Sequence, residues 1–415
     1  MRRRLEISAV NGTLEEDTAK IISSASDDEK QSLDTLINPH KYQPVIKLSE
    51  CTCHSDERES CQINCLFNAI QRDKDGKLVI TAECKGCGSC IENCKAHTLA
   101  GRTEIIPLIE LLRKQDSPVY AMIAPAFSGQ FSEDVTSGKL RSAFKKIGFY
   151  GMLEVALFAD ILTLKEALEF DRLIKNENDF LLTSCCCPLW VALIKKSYRS
   201  LIPHVPPSVS PMVACGRSIK KIHPEAKTVF IGPCIAKKAE AREADIADAV
   251  DFVLTFQEVA ELFELTGIKP AEMEEDSSDH SSTAGRIYAR TSGVSDAVQS
   301  TLDRLSPLRK IPFKAQQADG MVSCKEILQK ISKGDITANF IEGMGCKFGC
   351  VGGPKSLISA NEAREHVNAY SRAASSKTPV DNTHVLDILN RLGFDTIESL
   401  LDRDNTFTRL FVENN

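Results

Sequence analysis

KTVFIGPC, residues 227–234, is a short apolar run that turns at glycine and proline and ends in a cysteine. Three other runs have the same build: PVYAMIAPA at 118–126, DFLLTSC at 179–185 and DFVLTF at 251–256. The stretches between them carry apolar residues at helical spacing. Buried strands alternating with helices predict an α/β fold with mainly parallel sheets, since strands covered on both faces read as continuous apolar runs. Two of the runs lead straight into cysteines, Cys185 and Cys234. In open α/β sheets ligands sit beyond the carboxyl ends of strands, so a site is expected where these runs stop.

The chain has 415 residues, 42% hydrophobic and 26% charged, which is enough for two or three packed domains. A net charge of −6 with dispersed basic residues gives no long-range reason to expect nucleic acid or an anionic membrane as partner. No apolar stretch reaches the roughly 18 residues of a membrane span. Met1-Arg2-Arg3-Arg4 is followed by acidic LEISAVNGTLEEDTAK where an export signal needs an apolar segment, so a cytoplasmic protein is expected. Sixteen cysteines in that reducing compartment point to metal rather than to disulfides.

Four regions follow from composition. Residues 1–48 are polar and acidic and read as a surface helix or arm. Residues 49–100 hold eight cysteines and too few large apolar residues for a core of their own, as in a small domain folded around metal. Residues 101–355 carry the strand–helix pattern, interrupted by the polar loop EMEEDSSDHSSTAG at 272–285. Residues 356–415 read as a charged helical tail in which HVLDILNRLGF has helical spacing.

Within the second region, CKGCGSCIENC places Cys84, Cys87, Cys90 and Cys94 at C-x2-C-x2-C-x3-C. That spacing resembles the bacterial ferredoxin signature for [4Fe–4S] clusters. Cys51, Cys53, Cys61 and Cys65 form a less regular upstream group, C-x-C-x7-C-x3-C. If the fourth cysteine of each group crosses to the other cluster, one set is Cys51, Cys53, Cys61 and Cys94 and the other Cys84, Cys87, Cys90 and Cys65. A zinc ion or no metal upstream is the competing reading.

Three further segments, TSCCCPLW at 183–190, GPCIAKKAE at 232–240 and EGMGCKFGC at 342–350, offer thiolates from separate stretches. Their order, flanks and spacing resemble the active-site domain of the [FeFe]-hydrogenases, with motifs TSCCPxW, PCxxKxxE and ExMxCxxxC, from about Val119 to Pro354. The resemblance implies a two-lobed α/β catalytic domain with mainly parallel sheets, preceded by a ferredoxin-like α+β iron–sulfur domain. It also implies an H-cluster, a [4Fe–4S] cube joined to a di-iron unit with carbon monoxide, cyanide and an azadithiolate, fed by two accessory [4Fe–4S] clusters. Carried over by motif, Cys187, Cys234, Cys346 and Cys350 hold the cube, Cys350 bridges to the di-iron unit, Lys237 bonds a cyanide, Glu240 orients Lys237, and Met344 contacts the unit. Glu166 and Glu169 fall where relatives carry two glutamates of a proton path, and three apart on a helix they share a face. The serine that relatives place on that path falls near Pro206, which has no hydroxyl.

The tripled cysteine departs from the commonest motif. Aligned on Pro188 and Trp190, Cys187 is the ligand and Cys186 the proton-transfer thiol. Aligned on Thr183 and Ser184, these become Cys186 and Cys185. The tripling is a mark of the subgroup usually called group B. The expected activity is interconversion of protons and electrons with dihydrogen, with ferredoxin or a similar carrier and hydrogenase maturation proteins as partners. A hydrogenase-like iron–sulfur assembly or transfer protein, and a sensory hydrogenase-like protein, are the alternatives.

Overall fold

The structure is a computed structural model that describes residues 1–411 apart from 50, 52, 54–59, 277, 279, 403 and 405. Among these residues four short strands, β1 Val45–Lys47, β2 Ile70–Arg72, β3 Leu78–Ile80 and β4 Leu99–Gly101, pair antiparallel as β1–β4 and β2–β3. With the one-turn helices Ser60–Ile63 and Ser89–Glu92 they enclose an apolar cluster in which Cys61, Cys90 and Cys94 stand among Val45, Ile70, Leu78 and Leu99. Cysteines here occupy positions that aliphatic side chains fill in an ordinary core.

The larger part is built on two parallel sheets. β5 Val119–Ile123, β6 Gly151–Glu154, β7 Leu181–Thr183, β8 Lys227–Gly232, β9 Phe252–Thr255, β10 Ala315–Asp319 and β11 Phe340–Met344 follow in chain order. One sheet has the order β6-β5-β8-β9 and the other β10-β11-β7. The fold is therefore α/β with mainly parallel sheets. β5, β7 and β11 are buried along their whole length, whereas β10, AQQAD, is exposed over its first three residues and forms an edge. That polar edge and the glycine-led β6 have no apolar run to announce them.

The helix Ala156–Leu173 runs through the middle of the molecule, and its buried face includes Asp160, Lys165, Glu166 and Glu169. Such residues are seldom buried without partners. Asp160 accepts the Ser282 backbone N–H at 2.7 Å and so holds the start of the helix Thr283–Arg286. The N-terminal helix Arg2–Asn11 buries Leu5 and Ala9 in the main apolar core, in contact with the helices Ile105–Lys114 and Phe256–Thr266. At the other end Leu400 and Phe407 enter the same core, and an antiparallel bridge joins Thr408 to Ser208. No helix among the described residues is long and apolar enough to cross a membrane.

Candidate active site and iron–sulfur centres

The carboxyl ends of the two sheets face one cavity of about 60 Å3. Ala124, Pro125 and Ala126 reach it from the end of β5, Val155 from β6, Cys186 from β7, Pro233, Cys234 and Lys237 from β8, and Cys350 from the loop after β11. The lining is apolar apart from the three thiols, Lys237 and Tyr288. Parallel sheets place their carboxyl ends this way by construction, so the site forms where the strand pattern ends.

The turn after β7 sorts its three cysteines by direction. Ser184 takes a left-handed conformation (φ 71°), and Cys187 then caps the helix Pro188–Ser197, with Pro188 at its first position. Cys185 points inward and its thiol donates to Glu166 Oε1 at 3.6 Å. Cys186 faces the cavity. Cys187 accepts the Gly345 N–H at 3.2 Å and lies near enough to Cys234, Cys346 and Cys350 to raise each of them. Behind it Trp190 is fully buried flat against β11, where a Cβ on Gly343 would lie 2.1 Å from the indole. Glycine is the residue that this close approach permits.

The structure thus brings Cys187, Cys234, Cys346 and Cys350 together. Burial pushes the Cys234 thiol up to about 11 and Cys350 up to about 12, each reinforced by the neighbouring thiols, and Cys346 rises well above its ordinary value for the same reasons. Cys234, Cys346 and Cys350, each raised by burial and by neighbouring thiols, cannot all ionise beside one lysine. A cationic iron core is what would let them, so the donor set fits an iron–sulfur cube. Lys237 adds a fixed ammonium at the cavity wall, 2.6 Å from Glu240 Oε2. Met344 does not line the cavity; it is buried in the apolar cluster against which Cys186 and Cys350 pack.

Glu166 and Glu169 lie on the inner face of the central helix, both fully enclosed. Burial, and after it the Glu169 charge, raises Glu166 to about 8. The motif residue Glu342, which spacing had not marked as functional, is a third buried carboxyl. Burial raises it to about 7 against bonds from Ser295, whose N–H and hydroxyl donate at 2.8 and 2.6 Å. Tyr288 on the cavity wall and Lys165 beside Glu169 were missed as well. Tyr288 lies in no cysteine motif; Lys165 sits inside KEALE, where a lysine four residues before a glutamate looks like a surface pair.

In the small domain Cys65, Cys84, Cys87 and Cys90 line one cavity of about 10 Å3. Burial, then Cys87, Cys84, Cys65 and Cys61 in that order, pushes Cys90 up to about 12. Cys51, Cys61 and Cys94 belong to the adjoining apolar cluster; Cys53 is not among its members. The two cysteine groups end alike. Cys65 accepts the Ala69 N–H at 3.2 Å and Cys94 the Thr98 N–H at 3.3 Å, four residues on in each case, with Asn68 and His97 both left-handed in between. This local repeat is the structural form of the doubled cysteine pattern. Contact with the large domain runs through Gly86, where a Cβ would meet the backbone of Ala236 at 3.0 Å, and through Phe67, which packs with Trp190 and Cys187. Cys87 lies near enough to Cys346 to raise it.

A family described as the iron only hydrogenase large subunit, C-terminal domain, matches residues 117–354. The chain is 27% identical over 324 residues to the NADP-reducing hydrogenase subunit HndD of Solidesulfovibrio fructosivorans, covering 65% of this chain and 55% of that one. It thus spans about half the length of that relative. It is 22% identical over 372 residues to the cytosolic iron-sulfur assembly component 3 of Pongo abelii, covering 74% and 78%. An apo [FeFe]-hydrogenase HydA1 from Chlamydomonas reinhardtii shares the fold with a TM-score of 0.57 at 20% identity, over 72% of this chain and 96% of that one.

Proposed function

The chain belongs to the iron-only hydrogenase large-subunit family, and from that premise we propose that it is an [FeFe]-hydrogenase of the tripled-cysteine, group B type, interconverting protons and electrons with dihydrogen. The observation that carries this reading is a single cavity walled by Cys186, Cys234, Cys350 and Lys237, with Cys187 and Cys346 just behind. Cys187, Cys234, Cys346 and Cys350 would hold the cube, and Cys350 would share its thiolate with the di-iron unit. When bound, the H-cluster supplies redox-active iron and a basic amine at which protons and electrons meet.

The chain's own residues do the rest. Lys237, oriented by Glu240, presents a positive charge to an anionic ligand in a site with little water. The Met344 thioether adds polarizable surface behind Cys350. Cys186 holds a proton at Sγ facing the cavity, and burial, with the neighbouring thiols, raises it well above the ordinary thiol range and keeps that proton in place until the site demands it. Cys185 and Glu166 continue inward from it, with Glu169 one turn further. The apolar lining excludes water. Electrons would enter through accessory clusters on Cys65, Cys84, Cys87 and Cys90 and on Cys51, Cys53, Cys61 and Cys94. A cytoplasmic ferredoxin or similar carrier would deliver them, and maturation proteins would build the di-iron unit.

The similarity to an iron–sulfur assembly component supports a second reading, in which the cubes serve transfer or interaction. Cys186, Lys237 and Glu240 favour the first, because a cube alone gives a cavity-facing thiol and a buried ammonium nothing to act on. The deciding experiment loads the chain with cubes and then adds a synthetic di-iron complex. Cyanide and carbonyl infrared bands together with hydrogen evolution or uptake are expected; a fully loaded sample silent with a strong mediator overturns the assignment.

A further inference from the structure

A Lys–Glu pair four apart on a helix is ordinarily a solvent-exposed contact of little consequence. Lys165 and Glu169 depart from that: their side chains are 2% and 0% exposed, and Lys165 Nζ lies 2.5 Å from Glu169 Oε1. The same ammonium donates to the Pro207 carbonyl at 3.4 Å, which also accepts the Arg409 backbone N–H at 3.2 Å. The lysine head is thus held between a carboxylate and the loop that the C-terminal segment covers. Glu166, its neighbour in sequence, points elsewhere, because adjacent helical residues do not face one another. Glu166 Oε1 accepts from Cys185; Oε2 of each glutamate has no partner among the described residues, so what separates the two is that Glu169 Oε1 meets an ammonium and Glu166 Oε1 a thiol.

We infer that Lys165 is a positioning residue that makes the two buried carboxyls unequal, pinning Glu169 as a fixed anion and leaving Glu166, beside Cys185, to hold the exchangeable proton. The charge balance supports this. The groups acting on Glu166 are Glu169 and Lys165 from its own helix, Cys185 from the loop after β7, Glu342 from β11 and Tyr288 beyond the helix Thr283–Arg286. Only one of these is a cation, and it is committed to Glu169. A second carboxylate would sit buried beside the first without a counter-charge, a cost that protonation removes. The upward displacement of Glu166 agrees with that geometry. Two carboxyls held in different protonation states are the arrangement by which proteins assign donor and fixed-charge roles.

The inference rests on the hydrogenase reading only for what the proton is used for, and its test needs no turnover. Infrared difference spectra of the full chain carrying its cubes and no di-iron complex distinguish a neutral carboxyl from a carboxylate. At pH 7 a neutral-carboxyl band is expected that Glu166→Gln removes and Glu169→Gln leaves. Lys165→Gln should add a further band to the parent spectrum, which also carries Glu342, as Glu169 takes up a proton; Glu169→Gln in that background should remove it, and Lys165→Arg should restore the parent spectrum. Lys165→Met replaces Lys165→Gln if circular dichroism shows the latter misfolded. Even without a folded Lys165 variant, the two glutamate variants decide which carboxyl is neutral. A band lost with Glu169→Gln instead of Glu166→Gln, or no new band on removing Lys165, overturns the inference. Absent cyanide and carbonyl bands after di-iron loading would overturn the hydrogenase reading alone.

Discussion

Two fully buried glutamates, Glu104 and Glu166, are driven in opposite directions. Glu104 stands at the junction between the small domain and the large sheets, 2.6 Å from Arg102 Nη2 and 3.3 Å from His40 Nε2, and accepts the Val253 N–H at 2.8 Å. Burial works against its charge, yet the His40 bond and the charges of Lys238 and Arg102 bring it down to about 2. Lys238 completes the junction by donating to the Arg102 carbonyl at 2.6 Å and to Glu258 at 2.8 Å. Around Glu166 the balance is reversed: carboxyls and thiols crowd one region, and Lys165 and Lys237 are each already paired. Cations supplied in excess make a rigid joint. A deficit of cations leaves groups that must hold protons, and these border the cavity.

The largest test of this contrast lies on the cation-poor side. Cys187→Ala should abolish the H-cluster cube, with a matching fall in iron content and loss of turnover. Cys186→Ala should keep the iron and lose turnover by roughly 100- to 10,000-fold, the usual worth of general acid–base help. Cys185→Ala should be the mildest of the three. Iron analysis beside hydrogen assays separates them, and if Cys186→Ala loses the cube while Cys185→Ala loses turnover, the roles shift by one residue.

Next in size is the relay. Cys90→Ala should remove one reducible iron–sulfur signal and slow exchange with an external carrier while sparing cyanide and carbonyl bands. An unchanged reduced-state paramagnetic spectrum would remove Cys90 from the ligand set.

At the junction, Glu104→Ala leaves the buried Arg102 without its carboxylate partner and should cost about 3–5 kcal/mol of stability, seen in the denaturant midpoint. A loss under about 1 kcal/mol would show that the joint is not held by charge.

The smallest effects are in pH dependence, and the two glutamates act with opposite sign. Glu104 is lowered from 4.5 to about 2, so its stabilisation is present above pH 4.5 and lost as pH falls toward 2. Glu166 is raised from 4.5 to about 8, so the folded chain binds the extra proton between those values and stability falls as pH rises through that window. Denaturation at a series of pH values should therefore show Glu166→Gln flattening the decline between pH 4.5 and about 8, and Glu104→Gln flattening the acid limb below pH 4.5. Both variants altering the same limb would erase the distinction.

Much of this was legible in the chain itself. The apolar runs at 118–126, 179–185, 227–234 and 251–256 became β5, β7, β8 and β9, because a strand buried on both faces needs nothing beyond its own residues to declare itself. Cys84, Cys87 and Cys90 share one short loop, so spacing alone brings them together. The polar edge β10 was invisible because its hydrogen bonds come from β11, residues 340–344, rather than from any property of AQQAD.

What only the tertiary structure decided concerns direction and company. TSCCCP offers three thiols, and the left-handed Ser184 with the helix start at Pro188 sends one to Glu166, one to the cavity and one toward Cys234, Cys346 and Cys350. KEALE and AKKAE are both helical Lys–Glu patterns in sequence. Folding buries Lys165 with Glu169 and Lys237 with Glu240, and sends Lys238 back to Glu258 and the Arg102 carbonyl. Spacing along a chain determines which residues can share a face. Whether that face meets water, a thiol or an opposite charge is set by other elements, 19 residues away for Cys185 and Glu166 and 136 for Lys238 and Arg102, and burial then decides which groups keep their protons.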